Sequence, residues 1–235
     1  MTFKLLFVCS ANVCRSPTAT ALLARRLLVA DRLRDVVVAS AGTDAVPGQP
    51  WCAIDKRHVN ITEPELATLA SRTAFVATPG RIRHADLILC ADRRVLHQVV
   101  RSSPKSRARA FTVLEGAWLA RAVAAEQRRE GRDGAIDGIR PFPAEEPPHG
   151  RLLWLVNEMD AVRGQIGTPA PPRRLWSRFR PASDPTEIVD IHHSGARAHR
   201  ALLKELGSAT EVLAESILAT LSEDLGAAAT RGSAG

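Results

Sequence analysis

A thiol, a guanidinium and a hydroxyl stand close together near the start of the chain, as Cys9, Arg15 and Ser16 in the run Val8-Cys9-Ser10-Ala11-Asn12-Val13-Cys14-Arg15-Ser16-Pro17. Together these types suit attack on a phosphate ester. A cysteine acts as a nucleophile through its thiolate, and amides that converge on the sulfur favour that charged form. Arg15 offers a planar fork that matches two phosphate oxygens, which a lysine cannot reproduce. Ser16 is spaced to hydrogen-bond the Cys9 sulfur and ease its later departure from phosphorus. Asn12 tolerates the left-handed backbone of a tight loop, and Pro17 suits the first turn of a helix. In an arginine-rich chain with 4 cysteines the Cys-x5-Arg spacing is weak by itself, so its position carries the weight.

That position is the junction of two elements. The apolar run Leu5-Leu6-Phe7-Val8 reads as a strand that ends at Cys9, and Ser16-Pro17 opens a helix whose apolar face is Ala21, Leu22, Leu23, Leu27 and Leu28. A strand, a short loop and a helix start leave backbone N–H groups free to surround an anion, aided by the helix dipole. Farther along, strands are expected at 3–8, 35–40, 86–91 and 109–113. Helices are expected near 17–30, 52–70, 79–85, 92–101, 114–129, 151–164 and 196–222. This alternation predicts an α/β fold of three layers, a four-stranded parallel sheet with helices on both faces. The anion loop after the first strand then lies at the carboxyl ends of the strands.

Composition excludes several classes. The 235 residues are 45% hydrophobic, ample for a core, and no apolar run approaches a membrane span. Leu5–Cys9 is too short for a signal-peptide core, and cysteines at 9, 14, 52 and 90 make no disulfide framework, so a cytoplasmic location is expected. The net charge of +7 comes mainly from arginines scattered through helices, and only 4% of residues are aromatic. That pattern argues against nucleic acid and for a solvated surface that attracts acidic phosphoprotein segments. Residues 130–150 and 165–186 are rich in Gly or Pro and flank an apolar helix with Leu152, Leu153, Leu155, Val156 and Met159.

The motif resembles that of the low-molecular-weight protein-tyrosine phosphatase family, V-C-x-G-N-x-C-R-S-P near the N-terminus, with Ala11 where the family usually has glycine. Ser40-Ala41-Gly42-Thr43 and Ala85-Asp86-Leu87-Ile88-Leu89 extend the likeness, strongly over 3–43, fairly over 71–114, and in register over 186–222. Residues 115–185 have no clear counterpart in shorter members. The resemblance implies one domain over 1–224 with an insertion at about 115–185, followed by a tail at 225–235. It implies hydrolysis of phosphomonoesters, phosphotyrosine in proteins above all, through a cysteinyl-phosphate intermediate, with no cofactor or metal. The partners implied are a phosphorylated protein and phosphate or another oxyanion, not a membrane.

Carried over residue by residue, the family motif makes Cys9 the nucleophile and Arg15 the phosphate clamp. Ser10, Ala11, Asn12, Val13, Cys14 and Ser16 form the cradle. The family's general acid is an aspartate just before the last helix, and two residues compete for that part. Asp184-Pro185 preserves the family's D-P pair, whereas Asp190 keeps its register with the helix and sets His199, Leu203 and Leu206 on one apolar stripe. The register favours Asp190. His192 and His193 fall where relatives carry ring-flanking aromatics, in a chain with no tyrosine, and Trp51 is a candidate for the missing wall. A metal cluster of Asp190, His192, His193 and His199 is disfavoured, because adjacent histidines are more often a polar loop. Cys9 and Cys14 are candidates for a reversible disulfide. Two other functions compete: arsenate reduction with Cys90 in the relay, and a phosphate-binding module without catalysis.

Overall fold

Hydrophobic residues occupy both faces of β1 (Phe3–Cys9), as a central strand of a parallel sheet requires. Phe3, Leu5 and Phe7 point to one side and Leu6 and Val8 to the other, each set joining a different core cluster. In the computed structural model, which describes residues 1–127, 136, 138–166, 186–191 and 194–222, β1 lies inside a four-stranded sheet. With β2 (Val36–Gly42), β3 (Leu87–Cys90) and β4 (Ala110–Thr112) the order is β2-β1-β3-β4, and every pairing is parallel. The chain leaves β1 for a neighbour on one side and later returns to a neighbour on the other. At such a reversal the carboxyl ends of the strands open into a crevice, and Cys9 sits at its floor.

Two helical layers cover the sheet. On the Phe3, Leu5 and Phe7 side lie α1 (Arg15–Val29), α6 (Val113–Gln127), α7 (Pro148–Ala161) and α8 (Ala196–Leu221). α1 contributes Ala19, Leu23 and Leu27, spaced along one face, and α8 contributes Leu202, Leu206, Leu213 and Ile217. On the other side α4 (Pro79–His84) and α5 (Arg93–Ser102) bring Ile82, Val95 and Val99 against Leu6, Val8 and Ile88. All four expected strands and the three-layer arrangement are present.

One expected helix is broken. The span 52–70 forms α2 (Ala53–Val59), a single 3-10 turn at Pro64–Leu66 and the short α3 (Ala67–Ala70). Asn60, at φ 47°, closes α2 in the left-handed conformation, and Pro64 lacks the N–H that a continuing helix would need. α7 starts three residues ahead of the expected 151, with Pro148 at its first position, where the missing N–H is harmless. Its Leu152, Leu155, Val156 and Met159 enter the same core cluster as α1, α6 and α8. Glu158, fully buried, accepts from Arg140 N at 3.0 Å and Arg140 Nε at 2.7 Å, and Trp154 Nε1 donates to Arg140 O at 3.2 Å. These bonds fix the chain ahead of α7. No helix among the described residues is long and apolar enough to cross a membrane. Asp184, His192, His193 and the expected tail at 225–235 lie outside the described residues.

Candidate active site

The loop from Cys9 to Arg15 wraps the sulfur of its own first residue. Asn12 takes the left-handed conformation at φ 57°, which turns its backbone N–H onto Cys9 Sγ at 3.2 Å. Its side chain braces the turn twice over. Nδ2 donates to Ser16 Oγ at 2.9 Å, and Oδ1 accepts from Phe75 N at 2.9 Å. Ser16 Oγ in turn lies 3.0 Å from Cys9 Sγ and 3.2 Å from Ala41 O. A hydroxyl has one proton to give, and a thiolate, which only accepts, draws it more strongly than a carbonyl does. Ser10 and Ala11 form the half-buried lip, while Val13 and Cys14 are buried beneath it.

The end of β2 supports this loop through a glycine. Gly42 is the register partner of Cys9, and a β-carbon there would land on Ser10 O and come within 2.7 Å of Asn12 N. Only a bare Cα allows that approach. Next to it, Thr43 N donates to Cys9 O at 3.0 Å and Asp44 N to Ser10 O at 2.9 Å. Ser10 Oγ donates to Asp44 Oδ2 at 2.8 Å, and this bond chiefly holds the Asp44 carboxyl below its usual range.

Arg15, the first residue of α1, is only 4% exposed and reaches two carboxylates. Nη1 donates to Asp92 Oδ2 at 2.7 Å and Ile188 O at 3.1 Å, and Nη2 donates to Asp190 Oδ2 at 2.6 Å. Asp92 is doubly employed, since its Oδ1 also caps α5 by accepting from Val95 N at 2.8 Å. The stretch 186–191 docks on the end of β3, where Ile188, fully buried, donates its N–H to Ala91 O at 2.8 Å. Asp190 thereby reaches the Cys9 loop, with its side chain half exposed. Sequence reasoning missed the part played by Asp92. Its signal was present in an aspartate that follows an apolar strand and stands three residues before Val95, a helix-capping spacing.

Other expected residues point elsewhere. Trp51 is 6% exposed, packs with Ala21 and Val59, and donates from Nε1 to Thr18 Oγ1 at 3.2 Å. That is a packing position against α1, not an open ring wall, because an indole with an internal hydrogen-bond partner gains most by turning inward. Cys14 faces Cys52 and Asp55, and its thiol is pushed up by burial first and by those two neighbours next. No disulfide joins Cys9 and Cys14. Cys90 is fully buried between β3 and α5, and burial pushes its thiol up, so it presents no accessible sulfur for a relay.

Hydrogen-bond donors converging on a sulfur at a sheet crevice, with an arginine in the same loop, serve phosphoryl transfer to cysteine, which defines a class, the cysteine-dependent phosphatases. Comparison with known proteins narrows it. The model of the low molecular weight phosphotyrosine protein phosphatase family matches residues 4–126, and the chain belongs to that family. The match runs through all four strands and nearly to the end of α6. The chain is 30% identical over 145 residues to the probable low molecular weight protein-tyrosine-phosphatase AmsI of Erwinia amylovora, spanning 61% of this chain and 93% of that protein. Among solved structures, the tyrosine phosphatase Wzb from Escherichia coli K30 in complex with phosphate superposes with a TM-score of 0.53 at 19% identity. That likeness covers 92% of this chain and 98% of Wzb. The YwlE arginine phosphatase from Geobacillus stearothermophilus superposes with a TM-score of 0.51 at 20% identity, covering 92% of this chain and 93% of that one. Among these neighbours one fold thus carries two substrate chemistries.

Proposed function

We propose that this chain hydrolyses phosphotyrosine in proteins by two in-line displacements at phosphorus, with Cys9 as nucleophile. The observation that carries the assignment is the Cys9 sulfur held between Asn12 N–H and Ser16 Oγ, at 3.2 and 3.0 Å, in the loop that also bears Arg15. In the first step the Cys9 thiolate attacks phosphorus as the bond to the phenolic oxygen breaks. Arg15 and the loop amides of Ser10, Ala11, Asn12, Val13 and Cys14 take the charge on the equatorial oxygens. Asp190 gives its proton to the departing oxygen, and a cysteinyl phosphate remains. In the second step Asp190 accepts a proton from water, which attacks phosphorus. The sulfur leaves as thiolate with the Ser16 hydroxyl bonded to it, and phosphate is released.

The Arg15 contact with Asp190 ties the acid to the substrate site. An incoming phosphate takes over the guanidinium and frees the Asp190 carboxyl to face the leaving oxygen. Asp184 is the competing acid. His192 and His193 are proposed as contacts for the ring or for phosphate. The four free thiols suit a reducing compartment such as the cytoplasm, where a catalytic thiolate survives. One domain over 1–224, with an insertion that begins after the family match ends at residue 126 and adds α7 to the shared core, accounts for the packing of that helix.

The test is hydrolysis of para-nitrophenyl phosphate and of a phosphotyrosine peptide by wild type and by Cys9→Ser. Rapid-quench trapping of a phosphoenzyme in wild type, with the alkali-stable, acid-labile behaviour of a sulfur–phosphorus bond, is the expected outcome. Equal turnover by Cys9→Ser would overturn the nucleophile, and absence of any turnover in wild type would favour a phosphate-binding module. To assign the acid, Asp190→Asn and Asp184→Asn are compared on a poor leaving group. Asp190→Asn is expected to lose roughly 10²- to 10³-fold, and Asp184→Asn far less.

A further inference from the structure

Directly behind the phosphate loop lies a second group of reactive side chains that hydrolysis does not use. Cys14 Sγ, Cys52 Sγ and one carboxylate oxygen of Asp55 all lie within 4.8 Å of one another. Cys52 immediately precedes α2, and its N–H donates to Val13 O at 2.9 Å, which fixes α2 against the loop. Asp55 follows in the first turn of α2 with no exposed surface. His199, 1% exposed on α8, donates from Nδ1 to Asp55 Oδ1 at 2.8 Å. The other oxygen, Asp55 Oδ2, is buried with no hydrogen-bond partner among the described residues.

A carboxylate oxygen without a partner in such a place is costly, and the two thiols beside this carboxylate are only weak donors. A cation satisfies all three groups at once. We propose that Cys14, Cys52 and Asp55 form a site for a thiophilic divalent cation of the zinc type, with His199 as the positioning residue that orients the carboxylate. Tetrahedral bonds of about 2.3 Å to sulfur and about 2.0 Å to oxygen set ligand atoms roughly 3.5–3.8 Å apart, so a contraction of at most about 1.3 Å from the present 4.8 Å closes the spacing. Both sulfurs bind as thiolates and release their protons to solvent as the ion enters. Cys52 is partly exposed and supplies the way in. A hydrogen bond from histidine to a ligating carboxylate is the usual outer support of such sites. Because Cys14 sits between Val13 and Arg15, a bound ion ties the phosphate loop to α2 and, through His199, to α8.

The experiment titrates metal-free protein with Cd²⁺ and then displaces it with Zn²⁺, reading the ultraviolet thiolate-to-cadmium band, proton release and the thermal midpoint. It is run in the Cys9→Ser background, so that the nucleophilic thiol takes no part. One equivalent of Cd²⁺ with a thiolate band and a raised midpoint is expected. Cys52→Ser and Asp55→Asn in that background should each weaken binding by about tenfold or more, and His199→Gln by a smaller factor. Circular dichroism of the metal-free variants checks the fold, and Cys52→Ser, at a partly exposed position, decides the matter if Asp55→Asn does not fold. No thiolate band, no binding at one equivalent, or undiminished affinity in Cys52→Ser would each overturn the site.

Discussion

Two cysteines five positions apart in one loop live in opposite surroundings. Cys9 receives a backbone N–H from Asn12 and faces the Ser16 hydroxyl, groups that welcome negative charge. Cys14 turns the other way, into Cys52 and Asp55, groups that resist it, and burial adds to the resistance. Reactivity here therefore belongs to the donors a backbone turn delivers, not to membership of the loop. The left-handed Asn12 is what separates the two fates.

The most direct challenge to this contrast is to exchange the sulfurs for inert atoms. Cys9→Ser should abolish steady-state hydrolysis of para-nitrophenyl phosphate, by roughly 10⁴-fold or more, whereas Cys14→Ala should keep most of it. Comparable losses in the two variants would erase the distinction. A subtler challenge is Gly42→Ala, whose new methyl displaces the loop from below. Turnover should fall about 10²-fold with circular dichroism unchanged, since misplacement by about 1 Å costs that much.

Labelling refines the contrast without loss of function. Because the Cys14 thiol is pushed up, it stays protonated above the range where an ordinary cysteine ionises, and only the thiolate alkylates. Mass spectrometry after iodoacetamide treatment from about pH 6 to about pH 9 should find Cys9 modified and Cys14 largely intact, given that ordinary thiols ionise near about 8.5. The smallest effect concerns the lip. The lowered Asp44 carboxyl strengthens its bond to Ser10 above the ordinary carboxylate range, and that contribution fades only as pH falls through the depressed value. A carbon-detected NMR titration should place the Asp44 midpoint below that of a free aspartate. Asp44→Asn should change kcat/KM by less than about threefold, as an exposed pair warrants.

The strands and most helices were legible because their apolar periods are strong, as in Phe3, Leu5 and Phe7 against Leu6 and Val8. The break after Val59 was less so, since a left-handed Asn60 leaves little mark on hydrophobic spacing. Within the site, Cys9, Asn12, Arg15 and Ser16 are close in sequence and could be read from one run of residues. Asp92 and the Cys14, Cys52, Asp55 and His199 group could not, because they meet only through strand order and helix docking. Trp51 lies near the loop by sequence, and the bond that turns its indole N–H toward Thr18 is likewise set by packing that the sequence does not show.

The docking of Ile188 on Ala91 bears on how this chain could tolerate so long a connection between α7 and α8. Asp190 takes its place from the main-chain bond of Ile188 to Ala91 just past β3, the bond that Arg93 N gives Glu187, and a charged bond to Arg15, all made to elements of the sheet and the Cys9 loop. Closing a connector twice as long adds only about 0.6 kcal/mol of entropy, so length there is nearly neutral for stability. The anchor therefore insulates the chemistry from insertions and deletions upstream, and leaves that part of the gene open to evolutionary experiment.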